Sequence, residues 1–203
     1  MFTHTDIKKA VIRSQHCQRN WDLSKEIPED DLDLLIHAIS NCPSKQNHAF
    51  YKVHAVTNRS VIEELHRHTE GFLLPTGEWT TNSQILANLV LVFEPVEPSS
   101  KQKEKNSEFE NGSSWVTERD TNMAIGLAAG YANLTASILG YATGCCACFD
   151  EVKIKELLNM KRNPALLMGI GFKGTGKNRR IHHENNQIFP TKKKEEISIR
   201  IIK

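Results

Sequence analysis

The stretch ERDTNMAIGLAAGYANLTASILG at 118–140 reads as one long helix. Ala124, Gly126, Ala128, Ala129, Gly130, Ala132 and Ala136 give it a density of small residues that implies close approach of another backbone, within a core or across a dimer. Past its end, Asp150 caps a further helix carrying Ile154, Leu157 and Leu158, and 165–172 reads as a buried strand. Before it, 97–114 is rich in Ser, Lys, Glu and Asn with almost no apolar residues, which predicts a solvated loop or lid. The run 85–93 holds a buried strand closed by Glu94-Pro95. In the first half, Ile7, Ala10 and Val11 recur at helical spacing behind Thr5, and Pro28 followed by Glu29, Asp30 and Asp31 announces a helix through Leu32, Leu35, Ile36 and Ile39 that Pro43 stops. The run 51–56 reads as a strand, and Ser60 with Glu63 forms a capping box opening a helix around Val61, Ile62 and Leu65. In the tail, Ile197, Ile199 and Ile201 alternate with Ser198 and Arg200 after a lysine-rich spacer, a strand that must pair at a distance. Helices and strands are mixed without a βαβ rhythm or internal repeat, so the expected class is α+β.

Length and charge narrow the function classes. A chain of 203 residues predicts a single domain, here 1–203, with the polar loop at 97–114 and an arm at 191–203. Lys+Arg 26 against Asp+Glu 24 leaves +2, too balanced for a protein whose main partner is nucleic acid. The longest apolar run, 89–93, is far too short for a bilayer, and the polar 1–9 segment is unlike a secretory signal, so the expectation is a cytoplasmic protein with no membrane partner. Five cysteines, with Cys145, Cys146 and Cys148 inside four positions, read as reduced thiols.

Three polar segments are candidates for chemistry. At 13–21, Arg13, Arg19, two glutamines, Ser14, His16 and Asn20 make a donor-rich strip suited to an anion; its plain alternative is a solvated helix end. Pro43-Ser44-Lys45-Gln46-Asn47 occupies a loop between helix and strand, where backbone donors can face a ligand, or is simply a turn. The segment 169–180 runs from a strand into a glycine-rich basic loop ending Arg179-Arg180, either a phosphate site or a flexible turn, with a spacing that matches neither the P-loop nor the dinucleotide fingerprint. Cys145, Cys146 and Cys148 with His182 and His183 raise a metal reading against ordinary packing of small soft side chains.

Read together with 140–150, these segments resemble the FMN-dependent nitroreductase family over most of the chain. The family's opening Arg-x-Ser-x-Arg strip falls on Gln15, His16, Cys17, Gln18 and Arg19 with Trp21 behind, so Arg19 matches the second arginine while Gln15 and Cys17 replace the first arginine and the serine. Its Pro-Ser-x-x-Asn-x-Gln-Pro-Trp falls on Pro43, Ser44, Lys45, Gln46 and Asn47 followed by His48-Ala49-Phe50-Tyr51, without the Gln-Pro step. Asn82 with Gln84, the small-residue helix, the 143–149 segment with Cys145, Cys146, Ala147 and Cys148, and Arg179-Arg180 complete the order. Many relatives carry an acid and a glycine where Ala147 and Cys148 stand.

The resemblance implies a three-layer α+β fold with a central mixed or antiparallel sheet flanked by helices, and a homodimer that exchanges its C-terminal strand and holds FMN at the interface. Arg179 or Arg180 would grip the phosphate, Arg19 would stand at the pyrimidine edge, and the Ala147 N–H would bond the flavin N5. The expected reaction is hydride transfer from NAD(P)H to a small oxidant, a nitroaromatic or quinone, in a ping-pong cycle, the flavin performing the chemistry with no catalytic side chain. The alternatives are a same-fold flavoprotein with another reaction, reductive dehalogenation or flavin conversion, and a thiol or metal redox sensor built on 145–148.

Overall fold

The computed structural model describes residues 3–69, 72–73, 77, 79–80, 82–96, 118–175 and 194–202. In chain order these form α1 (His4–Ser14), α2 (Glu29–Ser40), β1 (Tyr51–Val56), α3 (Arg59–Arg67), β2 (Phe72–Leu73), β3 (Trp79–Thr80), β4 (Leu89–Pro95), α4 (Glu118–Leu139), β5 (Ala142–Cys146), α5 (Glu151–Leu157) and β6 (Leu166–Gly171). The lid at 97–114, Arg179, Arg180, His182 and His183 lie outside the described residues.

Strand β4 divides the core. Its side chains alternate, so Leu89, Leu91 and Phe93 join Leu35 and Ile39 of α2, Met168 and Ile170 of β6, and Ile125, Ala128 and Ala132 of α4 on one face. Val90 and Val92 join Ile62 and Leu65 of α3 and Ile154 of α5 on the other. All five apolar residues of β4 are fully buried, each worth about 1.5–3 kcal/mol relative to exposure. The result is a three-layer α+β fold whose four-stranded sheet runs β1-β4-β6-β5. Every ladder in it is antiparallel. The buried stripe of α4, Ala124, Ala128, Ala132 and Ala136, provides the close approach expected of its small residues. Gly126 and Gly130 do not share in it, since a Cβ on either meets nothing within 4 Å.

Local signals moved in several places. Helix α1 is capped by a Thr3–Asp6 capping box, two residues ahead of Thr5, and Ile7 and Val11 are exposed while Ala10 is buried. In α3 the cap is Asn58, whose side chain accepts from the Val61 N–H and from the Ser60 hydroxyl. Glu63 is turned to Arg59 Nε at 3.0 Å, so the Ser60–Glu63 capping box does not form. Strand β4 starts at Leu89, because Ser83–Ile85 is a 3-10 turn, and it runs through Glu94 and Pro95, the latter opposite Tyr51 on the last rung. Strand β5 was not foreseen: Ala-Thr-Gly-Cys-Cys carries little strand signal, and the pairing comes from β6. Asp150 caps α5 as expected. Residues 194–202 form neither helix nor strand in this chain, and Ile197, Ile199 and Ile201 are 68%, 82% and 78% exposed. Among the described residues, no helix is long and apolar enough to cross a membrane.

Glu94 is a charge placed inside this core, 2% exposed. His54 Nε2 donates to its Oε2 at 2.8 Å, and the Lys161 and Arg162 N–H groups donate to its Oε1 at 2.7 and 3.0 Å. Burial works against the carboxylate, but these three donors prevail and hold its pKa below the ordinary 4.5. A depressed carboxylate contributes stability that is present above its unfolded pKa and lost as pH falls through the folded one. Glu94→Leu is expected to cost about 3–5 kcal/mol at neutral pH, leaving His54 and two N–H groups stranded. Urea midpoints across pH check it: the gap between the native protein and the variant should narrow below pH ~4.5.

Candidate functional site

The site is built on two glycines. A Cβ on Gly169 of β6 would stand 2.1 Å from the Gln84 carbonyl oxygen, and one on Gly144 of β5 would stand 2.6 Å from the Gln18 oxygen and 3.0 Å from Gln84 Cβ. With no side chains there, the Ser83–Ile85 turn settles directly on the sheet. The 17–21 strip lies beside it. Cys17 bridges Thr143 in parallel fashion, and the Gln18 N–H donates to the Thr143 oxygen at 2.7 Å. Trp21 Nε1 donates to the Ser83 oxygen at 2.9 Å while the Ser83 hydroxyl donates to the Arg19 oxygen at 3.0 Å, a reciprocal clasp between strip and turn. Beyond β6, Trp21 bridges Lys173, and Asn20 exchanges bonds with the Gly174 N–H and the Thr175 oxygen, both at 2.9 Å.

Cys17, Arg19, Asn82, Gln84, Cys145 and Cys146 are therefore brought together, and the chain leaves this cluster at Thr175 toward Arg179 and Arg180. Gln15 and His16 sit exposed at its rim, at the end of α1. Arg13 is directed elsewhere: its Nη1 donates at 3.2 Å to the Ser137 oxygen in the last turn of α4, where a cation complements the helix dipole.

The cluster is polar yet shielded. Gln18, Arg19, Asn20, Asn82, Ser83 and Gln84 are all buried. Arg19 Nη1 donates to the Cys17 oxygen at 3.2 Å, which holds the guanidinium against the strip. Gln84 Oε1 is a buried acceptor with no hydrogen-bond partner among the described residues. Such an atom costs about 1–3 kcal/mol unless something donates to it.

All five cysteines are free. Cys146 is packed in the core beneath the sheet, while Cys145 and Cys148 reach the surface. Desolvation, with the nearby Cys17 and Cys146 thiols adding to it, pushes Cys145 up to about 12. Desolvation likewise pushes Cys146 up to about 11. Both stay protonated at neutral pH, and a thiol is a weak nucleophile in that form. Among the described residues, no three His, Cys, Asp or Glu side chains are grouped so as to hold a metal.

The 43–47 loop belongs to a different place. Gln46 and Asn47 take positive φ of 50° and 57°, Ser44 donates to the His48 oxygen at 2.7 Å, and a groove of about 570 Å³ opens beside Ser44, Asn47 and Tyr51. Lys45 pairs with Asp120 at 3.2 Å, at the start of α4. The loop leads into β1, the edge opposite β5, roughly 14 Å away across three strand spacings. Along α4 the same separation appears as the distance from Asp120 to Asn133, which touches the Thr143 side of the cluster, about 20 Å at the helical rise. Within one chain Pro43, Ser44, Lys45 and Asn47 thus stand apart from that cluster.

Ser83 and Asn133 carry no site signal of their own in the motifs read from the sequence. Asn133 left one signal, an amide in a helix otherwise built from Ala, Gly, Leu and Ile, where a polar residue needs a partner.

The sequence profile of the nitroreductase family matches residues 12–174. No curated protein matches the sequence. Among solved structures, a nitroreductase family protein from Streptococcus pneumoniae TIGR4 is 17% identical with a TM-score of 0.61, covering 98% of this chain and 96% of its own. One from Clostridium novyi NT is 19% identical with a TM-score of 0.62, over 93% and 97%. An FMN-dependent nitroreductase from Clostridium difficile R20291 is 16% identical with a TM-score of 0.56, over 89% and 91%.

The glycine seat makes a direct prediction. Gly144→Ala must displace the Gln18 carbonyl or the Gln84 turn, an overpacking expected to cost about 1–3 kcal/mol. Thermal unfolding measures the loss, and proton chemical shifts of the Trp21 indole, which is bonded to Ser83, should move with it.

Proposed function

The chain belongs to the nitroreductase family, and we propose that it is an FMN-dependent oxidoreductase passing hydride equivalents from NAD(P)H to a small oxidant, a nitroaromatic or a quinone, in alternating half-reactions. The observation that carries this reading is the unsatisfied Gln84 Oε1 in the same buried polar layer as the Arg19 guanidinium. A flat heterocycle with an N–H on one edge and developing negative charge near it fits that pair of groups. When bound, FMN supplies the hydride acceptance and release. This chain's residues do the rest. Gln84 and Asn82 would orient the ring edge, and Arg19 would stabilise negative charge developing there. The Ala147 N–H would bond the flavin N5, and Arg179 or Arg180 would anchor the phosphate by charge-assisted bonds.

The separation of the 43–47 loop from the cluster argues for a homodimer in which each cofactor site takes one half from each chain. Met123, Leu127, Tyr131 and Leu134 form an exposed apolar stripe on α4, flanked by the open Gly126 and Gly130. Packing this stripe on its twofold copy sets the start of one α4 beside the end of the other, which brings the 43–47 loop of each chain toward the partner's seat. The bare isoleucines at 197–202 are read as a strand that crosses to the second subunit.

Purified protein should be yellow, release FMN on denaturation, and oxidise NADH or NADPH when given nitro or quinone acceptors. A colourless protein that cannot take up FMN overturns the reading. Arg19→Gln should retain the flavin and lower its midpoint potential by roughly 30–60 mV, the equivalent of a charged hydrogen bond of about 1.5–3 kcal/mol in a two-electron couple; spectroelectrochemistry reads it. Deleting 196–203 should shift the dimer toward monomer in sedimentation and lower flavin content together. A truncated dimer with full FMN would place the tail outside the interface.

A further inference from the structure

We infer that Asn133 is a positioning residue that sets the register between α1 and β5, and through it the placement of the cofactor strip. Its amide is used at both ends, in two directions. Oδ1 accepts from the Thr143 hydroxyl at 2.6 Å, and Nδ2 donates to the Ser14 oxygen at 3.1 Å. Ser14 is the last residue of α1. Thr143 is the residue that Cys17 bridges and whose oxygen receives the Gln18 N–H at 2.7 Å. The backbone from Ser14 to Gln18 is thus a short arc closed through one side chain, and Arg19 follows immediately after it.

A second contact between the same helices shows what is particular to Asn133. One turn later, Ser137 donates to the Ala10 oxygen at 2.8 Å and accepts from Arg13 at 3.2 Å. Ser137 docks α1 on α4 through these two bonds, neither of which reaches β5, so it holds the helix without fixing where the strip meets the sheet. Only a group with a donor and an acceptor in one short plane meets both demands on Asn133. Aspartate lacks the donor for Ser14, leucine lacks both, and glutamine sets the amide one methylene further out.

The assignment rests on the flavin reading for its consequence, and on geometry alone for its cause, so the two are tested separately. Hydrogen exchange on the protein as purified follows the amides of 15–19. Asn133→Leu and Thr143→Val should each accelerate their exchange at least tenfold, Thr143→Ser should restore the native rate, and Ser137→Ala should lower the melting temperature while leaving those amides within twofold. FMN dissociation constants measured on the same set should rise at least tenfold for the first two variants and stay within twofold for Thr143→Ser and Ser137→Ala. Native exchange at 15–19 in Thr143→Val, or acceleration equal to it in Ser137→Ala, overturns the inference even if Asn133→Leu fails to fold. Native protein that binds no FMN overturns the flavin reading and leaves the exchange comparison to decide this one.

Discussion

The Gln84 carbonyl occupies the space that a Cβ on Gly169 would fill, and the Gln18 carbonyl and the Gln84 side chain crowd the corresponding space over Gly144. Two missing methyl groups on neighbouring strands therefore let a 3-10 turn and an extended strip lie on the sheet at backbone distance. The arrangement then maintains itself through reciprocal bonds between Trp21 and Ser83 and between Ser83 and Arg19. A polar layer so close to an apolar sheet would be costly if it were left unsatisfied. Most of its groups find partners within the layer, and among the described residues Gln84 Oε1 is an acceptor left over.

Helix α4 connects this seat to the rest of the molecule. Its alanine stripe presses on the sheet and α2, Asn133 and Ser137 hold α1, and the Lys45–Asp120 pair ties its first turn to the 43–47 loop. Because the loop and the seat stand at opposite edges of the sheet, rigid packing keeps them apart in one chain. In the proposed homodimer the outward stripe of α4 would reunite them, and cofactor retention would then depend on the same surface as subunit association. The core thiol of Cys146 adds little reactivity here, since desolvation raises its pKa and keeps it protonated.

Much of the framework was legible in order and type. Alternation and apolar runs marked β1, β4 and β6, helical spacing marked α2, α3 and α4, and Asp150 announced α5, because each of these elements carries its own hydrophobic period. Boundaries slipped where a neighbour outweighed local chemistry: Asn58 displaced Ser60 as a cap, and the run from Ile85 divided into a turn and a strand. Strand β5 was illegible because Ala-Thr-Gly-Cys-Cys has little propensity of its own and exists as a strand through its ladder with β6.

The sequence by itself determined the α+β class, the small-residue helix, the reduced cysteines and the residue types of the site, since composition, period and motif order are local properties of the chain. Tertiary structure alone decided which of those residues meet. It turned Arg13 away to the end of α4, buried Arg19 against the strip, set Gln84 over two glycines more than fifty residues downstream, and gave Asn133 its two partners. It also separated the 43–47 loop from the seat. The reason is physical: backbone approach at under 4 Å and hydrogen bonds between residues far apart in sequence depend on how layers stack, and no period along the chain encodes that distance.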